Sequence, residues 1–143
     1  MEENRENSIL IVDDEKNNIL ALTNMLSADY NILIAKNGKD AIETANEQLP
    51  DIILLDIIMP EMDGYEAITA LKDSEKTNKI PVIFITGLSD EKDVEKGLDL
   101  GASDYITKPF TPVVVKLHIK NQFQILKYAR AIERTGLKDI EIF

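Results

Sequence analysis

Five short apolar runs constrain the fold more than any other feature of the chain: ILIV (9–12), NILIA (31–35), DIILL (51–55), PVIFIT (81–86) and DYIT (104–107). The first, third and fourth are continuous rather than alternating, as in strands covered on both faces. Between the runs lie stretches with helical spacing. Ile19, Leu22 and Leu26 share one face, as do Ala41, Ala45 and Leu49, and then Ile68 and Leu71. Gly101 stands where a helix begun near Asp90 should stop. A strand-helix unit repeated five times predicts an α/β fold: a doubly wound, five-stranded parallel sheet with helices on both faces.

A chain of 143 residues has room for one such core, and 44% hydrophobic with 29% charged residues is a globular balance. The formal net charge of −10 argues against direct nucleic acid binding, because nothing offsets phosphate repulsion. It suits a divalent cation or basic partner surfaces. The sequence has no Cys, and therefore neither a disulfide framework nor thiolate chemistry. The opening MEENRENS is polar and acidic, unlike a secretory signal, and no apolar run reaches membrane-spanning length. A cytoplasmic location without membrane contact is expected. Helical composition runs from Thr111 to about Arg134 and is broken at Gly136. The expected division is a domain over 8–125 and a C-terminal helical extension or linker over 126–143. The long helix either overhangs or serves a further domain or a dimer partner.

In open α/β sheets, ligands bind outside the carboxyl ends of the strands. Asp13 and Asp14 follow the first run, Asp56 ends the third, Thr86 and Gly87 the fourth, and Thr107, Lys108 and Pro109 the fifth. Each has an innocent reading alone. Asp14 could cap the following helix, Thr86 could be a plain strand residue, and Lys108 could be a solvated charge. Together they place three carboxylates, a hydroxyl and an ammonium at one edge. Crowded carboxylates repel, and a hard divalent cation such as Mg²⁺ relieves that conflict. With no Cys, and with the lone His118 on the last helix, a carboxylate attacking phosphorus to give an aspartyl phosphate is the chemistry that fits.

Four segments, VDDE (12–15), LLDIIMPEMDG (54–64), PVIFITG (81–87) and GASDYITKPF (101–110), resemble the receiver domain of two-component response regulators, in order and at that family's spacing. The resemblance implies a flavodoxin-like sheet of order 2-1-3-4-5. It implies that Asp56 accepts a phosphoryl group from a sensor histidine kinase or phosphotransfer protein. Asp14, Asp56 and the backbone carbonyl of Ile58 would bind Mg²⁺ directly, and Asp13 would act through a metal-bound water. Thr86 and Lys108 would hold phosphoryl oxygens, and Tyr105 would be an aromatic switch that follows Thr86. Lys108-Pro109 matches a bond often cis in the family. Such a module is not itself an enzyme, although it assists its own phosphorylation and dephosphorylation. The length of the last helix past Gln122 and its apolar residues on several sides predict a homodimer through it and the surface between the fourth and fifth helices, and a downstream effector domain is a further expected partner.

Two rivals share parts of the pattern. A haloacid dehalogenase-type phosphotransferase also forms an aspartyl phosphate with Mg²⁺, but wants an acid two residues after the nucleophile, where this chain has Ile58. A non-phosphorylated pseudo-receiver scaffold would lack a key residue, and all are present. No Gly-rich phosphate loop follows the first run. His118, Tyr30, Tyr65 and Tyr128 read as packing or surface residues. Ile57 and Met59 are expected to anchor the loop after Asp56, and Val113, Val114 and Leu117 to pack the last helix on the sheet. Beyond them Phe123, Leu126, Tyr128, Ala129 and Ile132 are apolar on more than one side without a clean heptad.

Overall fold

The computed structural model describes residues 7–135. The five apolar runs form strands β1 (Ser8–Val12), β2 (Asn31–Ala35), β3 (Ile52–Leu55), β4 (Val82–Thr86) and β5 (Asp104–Thr107). They alternate with α1 (Lys16–Leu26), α2 (Gly38–Gln48), α3 (Gly64–Lys72), α4 (Glu91–Asp99) and α5 (Pro112–Thr135). All strand pairs are parallel and the order is β2-β1-β3-β4-β5. The break expected at Gly136 and the rest of the extension lie outside the described residues.

Alternation within the continuous runs divides the core in two. Leu10, Val12, Ile53, Leu55, Val82 and Phe84 point to one side, with Ala41 and Ala45 of α2 and Ala67, Ile68 and Leu71 of α3. Ile9, Ile11, Ile52, Leu54, Ile83 and Ile85 point to the other, with Ile19, Leu22 and Leu26 of α1 and Val115 and Ile119 of α5. Both faces of the central strands are therefore dry, which is why their sequences do not alternate. Burial of this kind contributes roughly 25 cal/mol per Å² of apolar surface and holds the strand ends in fixed relation.

Two helix faces depart from the sequence reading. Leu49, expected on the core face of α2, is the C-cap in a left-handed conformation (φ 48°, ψ 63°) and is exposed. Pro50 follows it, and a residue before proline is disfavoured in the right-handed helical region, so the helix ends one residue early. Val113, Val114 and Leu117 do not pack α5 on the sheet; they are 75%, 41% and 65% exposed. The buried face of α5 is Val115, Ile119 and Gln122, with Phe123 and Leu126 continuing it. Spacing fixed which residues share a face, but not which of two apolar stripes turns inward.

Leu49 has little burial to lose and a side chain unsuited to positive φ. Leu49→Gly should therefore raise stability by up to about 1 kcal/mol in urea unfolding, and a loss would contradict this account of the cap.

Candidate functional site

The residues that follow β1, β3 and β5 are Asp13, Asp56 and Lys108, and β4 ends on Thr86. Parallel pairing in register, Val12 with Leu55 and Thr86 with Thr107, delivers all four side chains to one rim. Backbone bonds fix the positions. Asp13 N–H donates to Ala35 O (3.2 Å), Asp56 N–H to Val12 O (3.0 Å) and Lys108 N–H to Thr86 O (2.8 Å). The Lys108-Pro109 bond is cis, in agreement with the expectation.

Lys108 Nζ bridges Asp13 Oδ2 (3.0 Å) and Asp56 Oδ2 (3.1 Å). Asp13 is fully buried and Asp56 is 4% exposed. Both remaining oxygens are also engaged: Asp13 Oδ1 accepts from Glu15 N–H (2.9 Å), and Asp56 Oδ1 from Ile57 N–H (2.7 Å). Buried carboxylates with full sets of partners are the expected outcome of their desolvation cost. Asp14 differs. It is exposed and has no hydrogen-bond or ion-pair partner among the described residues. It does not cap α1, whose N-cap is Glu15 without a side-chain cap; Asp13 takes the Glu15 N–H instead.

Burial pushes the Asp56 carboxyl above its ordinary value, opposed by the Lys108 ammonium and reinforced by the Asp13 charge. Hydrogen bonds from Lys108 and the Thr86 hydroxyl pull it back down. For Lys108, burial alone would lower the value, but its bonds to Asp13 and Asp56 and their charges raise it, so the ammonium is kept. One ammonium against three carboxylates leaves the rim with excess negative charge. Carboxylate oxygens of Asp13, Asp14 and Asp56 lie within 4.8 Å of one another, a hard-oxygen donor set suited to a small divalent cation.

The loop after Asp56 is held from both sides. Ile57 and Met59 are buried as expected, while Ile58 is exposed and its carbonyl accepts no hydrogen bond among the described residues. Glu61 takes a positive φ of 67° in the turn, and Asp63 with Glu66 forms a capping box at the start of α3. Gly64 N–H donates to Ile57 O (2.8 Å), and a Cβ at Gly64 would fall 2.4 Å from Asp56 O. Only glycine lets α3 start this close to the Asp56 backbone. A Cβ at Gly87 would meet no protein atom within 4 Å, which leaves open space beside Thr86.

Tyr105 lies with its ring edge-on to Phe84 (5.9 Å between centroids) and donates from its hydroxyl to Leu88 O (2.7 Å). Its phenol is pushed up to about 12, first by burial and then by Tyr65 and Asp93. The rim therefore unites Asp13, Asp14, Asp56, Thr86 and Lys108, with Tyr105 two positions below the Thr86–Thr107 pair, opposite Phe84. Two contacts were not foreseen from sequence. His118 Nδ1 meets Asp104 Oδ2, tying α5 to β5, and Tyr65 donates its hydroxyl to Asp93 O (3.2 Å). No spacing signal marks either, because each joins residues from separate elements.

The family model that matches, over residues 9–120, is described as the response regulator receiver domain. A relative named as a probable cyclic di-GMP phosphodiesterase of Vibrio cholerae is 42% identical over 124 residues, 87% of this chain and 28% of that protein. Histidine kinase P4 of Formosa agariphila is 44% identical over 119 residues, 83% of this chain and 9% of that protein. The chain thus spans less than a third of the length of these curated relatives. A receiver domain of a Pseudomonas aeruginosa sensor histidine kinase, described with a magnesium ion in its active-site cleft, superposes with a TM-score of 0.76. It is 29% identical, and the match covers 81% of this chain and 96% of that one.

The raised Asp56 carboxyl has a stability consequence in the absence of divalent cations. Its favourable contribution is complete below the ordinary carboxylate range and is lost as pH rises through the raised value, where the buried group must ionise. Asp56→Asn should therefore gain Tm relative to wild type on going from acid to neutral pH in a chelator. A difference that stays flat or shrinks would contradict the shift.

Proposed function

The chain belongs to the response regulator receiver domain family and is a phosphoacceptor module of two-component signalling, and we propose that Asp56 is its acceptor. The supporting observation is the placement of the buried Asp56 carboxylate against the Lys108 ammonium, at the strand-end rim where β4 ends on Thr86. Receiver domains interact with histidine kinases and effector domains. The proposed donor here is the phosphohistidine of a sensor kinase or phosphotransfer protein. Asp56 Oδ attacks phosphorus, the P–N bond breaks, and the departing imidazole takes up a proton from solvent. Thr86 and Lys108 then share the phosphoryl oxygens, as preorganised donors at developing charge do. No helix among the described residues is long and apolar enough to cross a membrane.

Asp14, Asp56 and the Ile58 carbonyl are the proposed direct ligands of Mg²⁺, with Asp13 acting through water. The open oxygens of Asp14 and the unengaged Ile58 carbonyl support those two ligands, while Asp56 and Asp13, each holding a backbone N–H and Lys108, are told apart by the family resemblance alone. Bound Mg²⁺ would neutralise charge between the acid cluster and the incoming phosphoryl oxygens.

The proposed switch runs through Tyr105, and the proposed self-association uses α5. Val113, Val114, Leu117, Ile125 and Tyr128 form an exposed apolar surface along that helix, and Leu98 of α4 is exposed as well. A second copy favoured by phosphorylation is the proposed occupant.

Incubation with Mg²⁺ and acetyl phosphate should add one phosphoryl mass to the chain, labile to base and absent in Asp56→Asn. An adduct of equal yield in the Asn variant would refute the acceptor. In metal titrations, Asp14→Asn should lose more Mg²⁺ affinity than Asp13→Asn, and Lys108→Ala should bind Mg²⁺ at least as tightly as wild type, because an ammonium bridging two acids opposes a second cation. The reverse ranking, or a metal-deficient Lys108→Ala, would count against the ligand assignment. Light scattering with Mg²⁺ and beryllofluoride should show a dimer for the full chain and a monomer for a chain ending at Phe123. A full chain monomeric in every condition would exclude the α5 contact.

A further inference from the structure

Helix α4 is weakly anchored for its place in the fold. It has nine residues, only Gly97 is buried, and its N-cap Asp90 makes no side-chain cap bond. Little apolar burial fixes its position, so a few specific contacts must. Gly97 rests on the aromatic cluster, where a Cβ would come within 3.0 Å of Phe84 and 3.2 Å of Tyr105. The other contacts come from two tyrosines. Tyr65 and Tyr105 flank Phe84 edge-on, each with ring centroids 5.9 Å away. Each sends its hydroxyl to a backbone carbonyl on the α4 side: Tyr105 to Leu88 O (2.7 Å), just before the helix, and Tyr65 to Asp93 O (3.2 Å), in its first turn. Lys96 Nζ, on α4, sits 4.3 Å from the Tyr65 ring centroid. Tyr65 thus grips α4 by its hydroxyl and by its ring face, while its edge-on contact to Phe84 joins that grip to Tyr105.

The engaged arrangement held in this way has the Tyr105 ring packed on Phe84 and its hydroxyl on Leu88 O. We propose that Tyr65 is a positioning residue that latches α4 in this engaged arrangement and so sets, from α3, how tightly a phosphoryl group is held at Asp56. The inference rests on the reading of Asp56, Thr86 and Tyr105 given above. The thermodynamic link is ordinary. A ligand that needs the engaged state loses apparent affinity in proportion to any fall in that state's population. A hydrogen bond of the Tyr65 type contributes enough to shift such a population by about twofold to tenfold. The cation–π contact with Lys96 adds a smaller share.

Tyr65→Phe removes the hydroxyl and leaves the ring on Phe84, and Lys96→Gln removes the cation from a side chain that is exposed. With Mg²⁺ present, beryllofluoride titration followed by NMR should show affinity about twofold to tenfold weaker in Tyr65→Phe and a smaller loss in Lys96→Gln. Mg²⁺ affinity without beryllofluoride should be unchanged in both, because neither residue touches the acid cluster. Hydrogen exchange of the α4 amides should quicken in Tyr65→Phe. A Tyr65→Phe chain that is merely less heat-stable, with wild-type beryllofluoride affinity, overturns the latch and leaves the reading of Asp56 standing. A wild-type chain that takes up no beryllofluoride overturns that reading, and the latch with it.

Discussion

The Lys108 ammonium between the Asp13 and Asp56 carboxylates is the interaction on which the functional edge of this molecule depends. Two nearly buried acids at the end of a hydrophobic sheet would repel each other and resist desolvation. One cation placed 3.0 and 3.1 Å from them makes the arrangement tolerable. It does so without settling it, since Asp14 remains open beside the pair and the local charge stays negative. The rim is therefore stable enough to keep its shape and still short of positive charge. That condition suits a divalent cation and, on the reading proposed above, a phosphoryl group entering with it.

The rest of the fold serves this rim by rigidity in some places and looseness in others. Two dry side-chain layers, one on each face of the sheet, fix the ends of β1, β3, β4 and β5 with respect to one another. Gly64 brings α3 against the backbone of Asp56 and Ile57, so the loop after Asp56 has little freedom. By contrast α4 buries one residue and is held through tyrosine hydroxyls and a glycine contact. The loosely held helix rests on Phe84 and Tyr105 through Gly97, on the side of the sheet where Thr86 ends β4.

Much of this was legible in the sequence because parallel strands buried on both faces announce themselves as continuous apolar runs. All five runs became strands with nearly the expected bounds, and the ends of four of them, β1, β3, β4 and β5, formed the rim. The sheet order came from resemblance rather than from any pattern in the residues. Where local reading failed, a competing physical effect explains it. Pro50 turned Leu49 out of α2. On α5 two apolar stripes compete, and the one built on Val115 and Ile119 won the sheet, leaving Val113 and Leu117 in solvent. Tyr65 looked like an ordinary aromatic because its partners, Phe84, Asp93 and Lys96, lie on other elements, and no periodicity within one element can reveal such a contact.

The central claim is that among three adjacent carboxylates only Asp56 makes the covalent bond to phosphorus. Borohydride reduction of the phosphorylated chain, followed by peptide mapping, reads that bond directly, because an acyl phosphate is reduced to an alcohol and the aspartate becomes homoserine. The account predicts homoserine at position 56 and unmodified aspartate at Asp13 and Asp14. Homoserine at either of those two positions, or none at position 56 in a chain shown by mass to be phosphorylated, would contradict it.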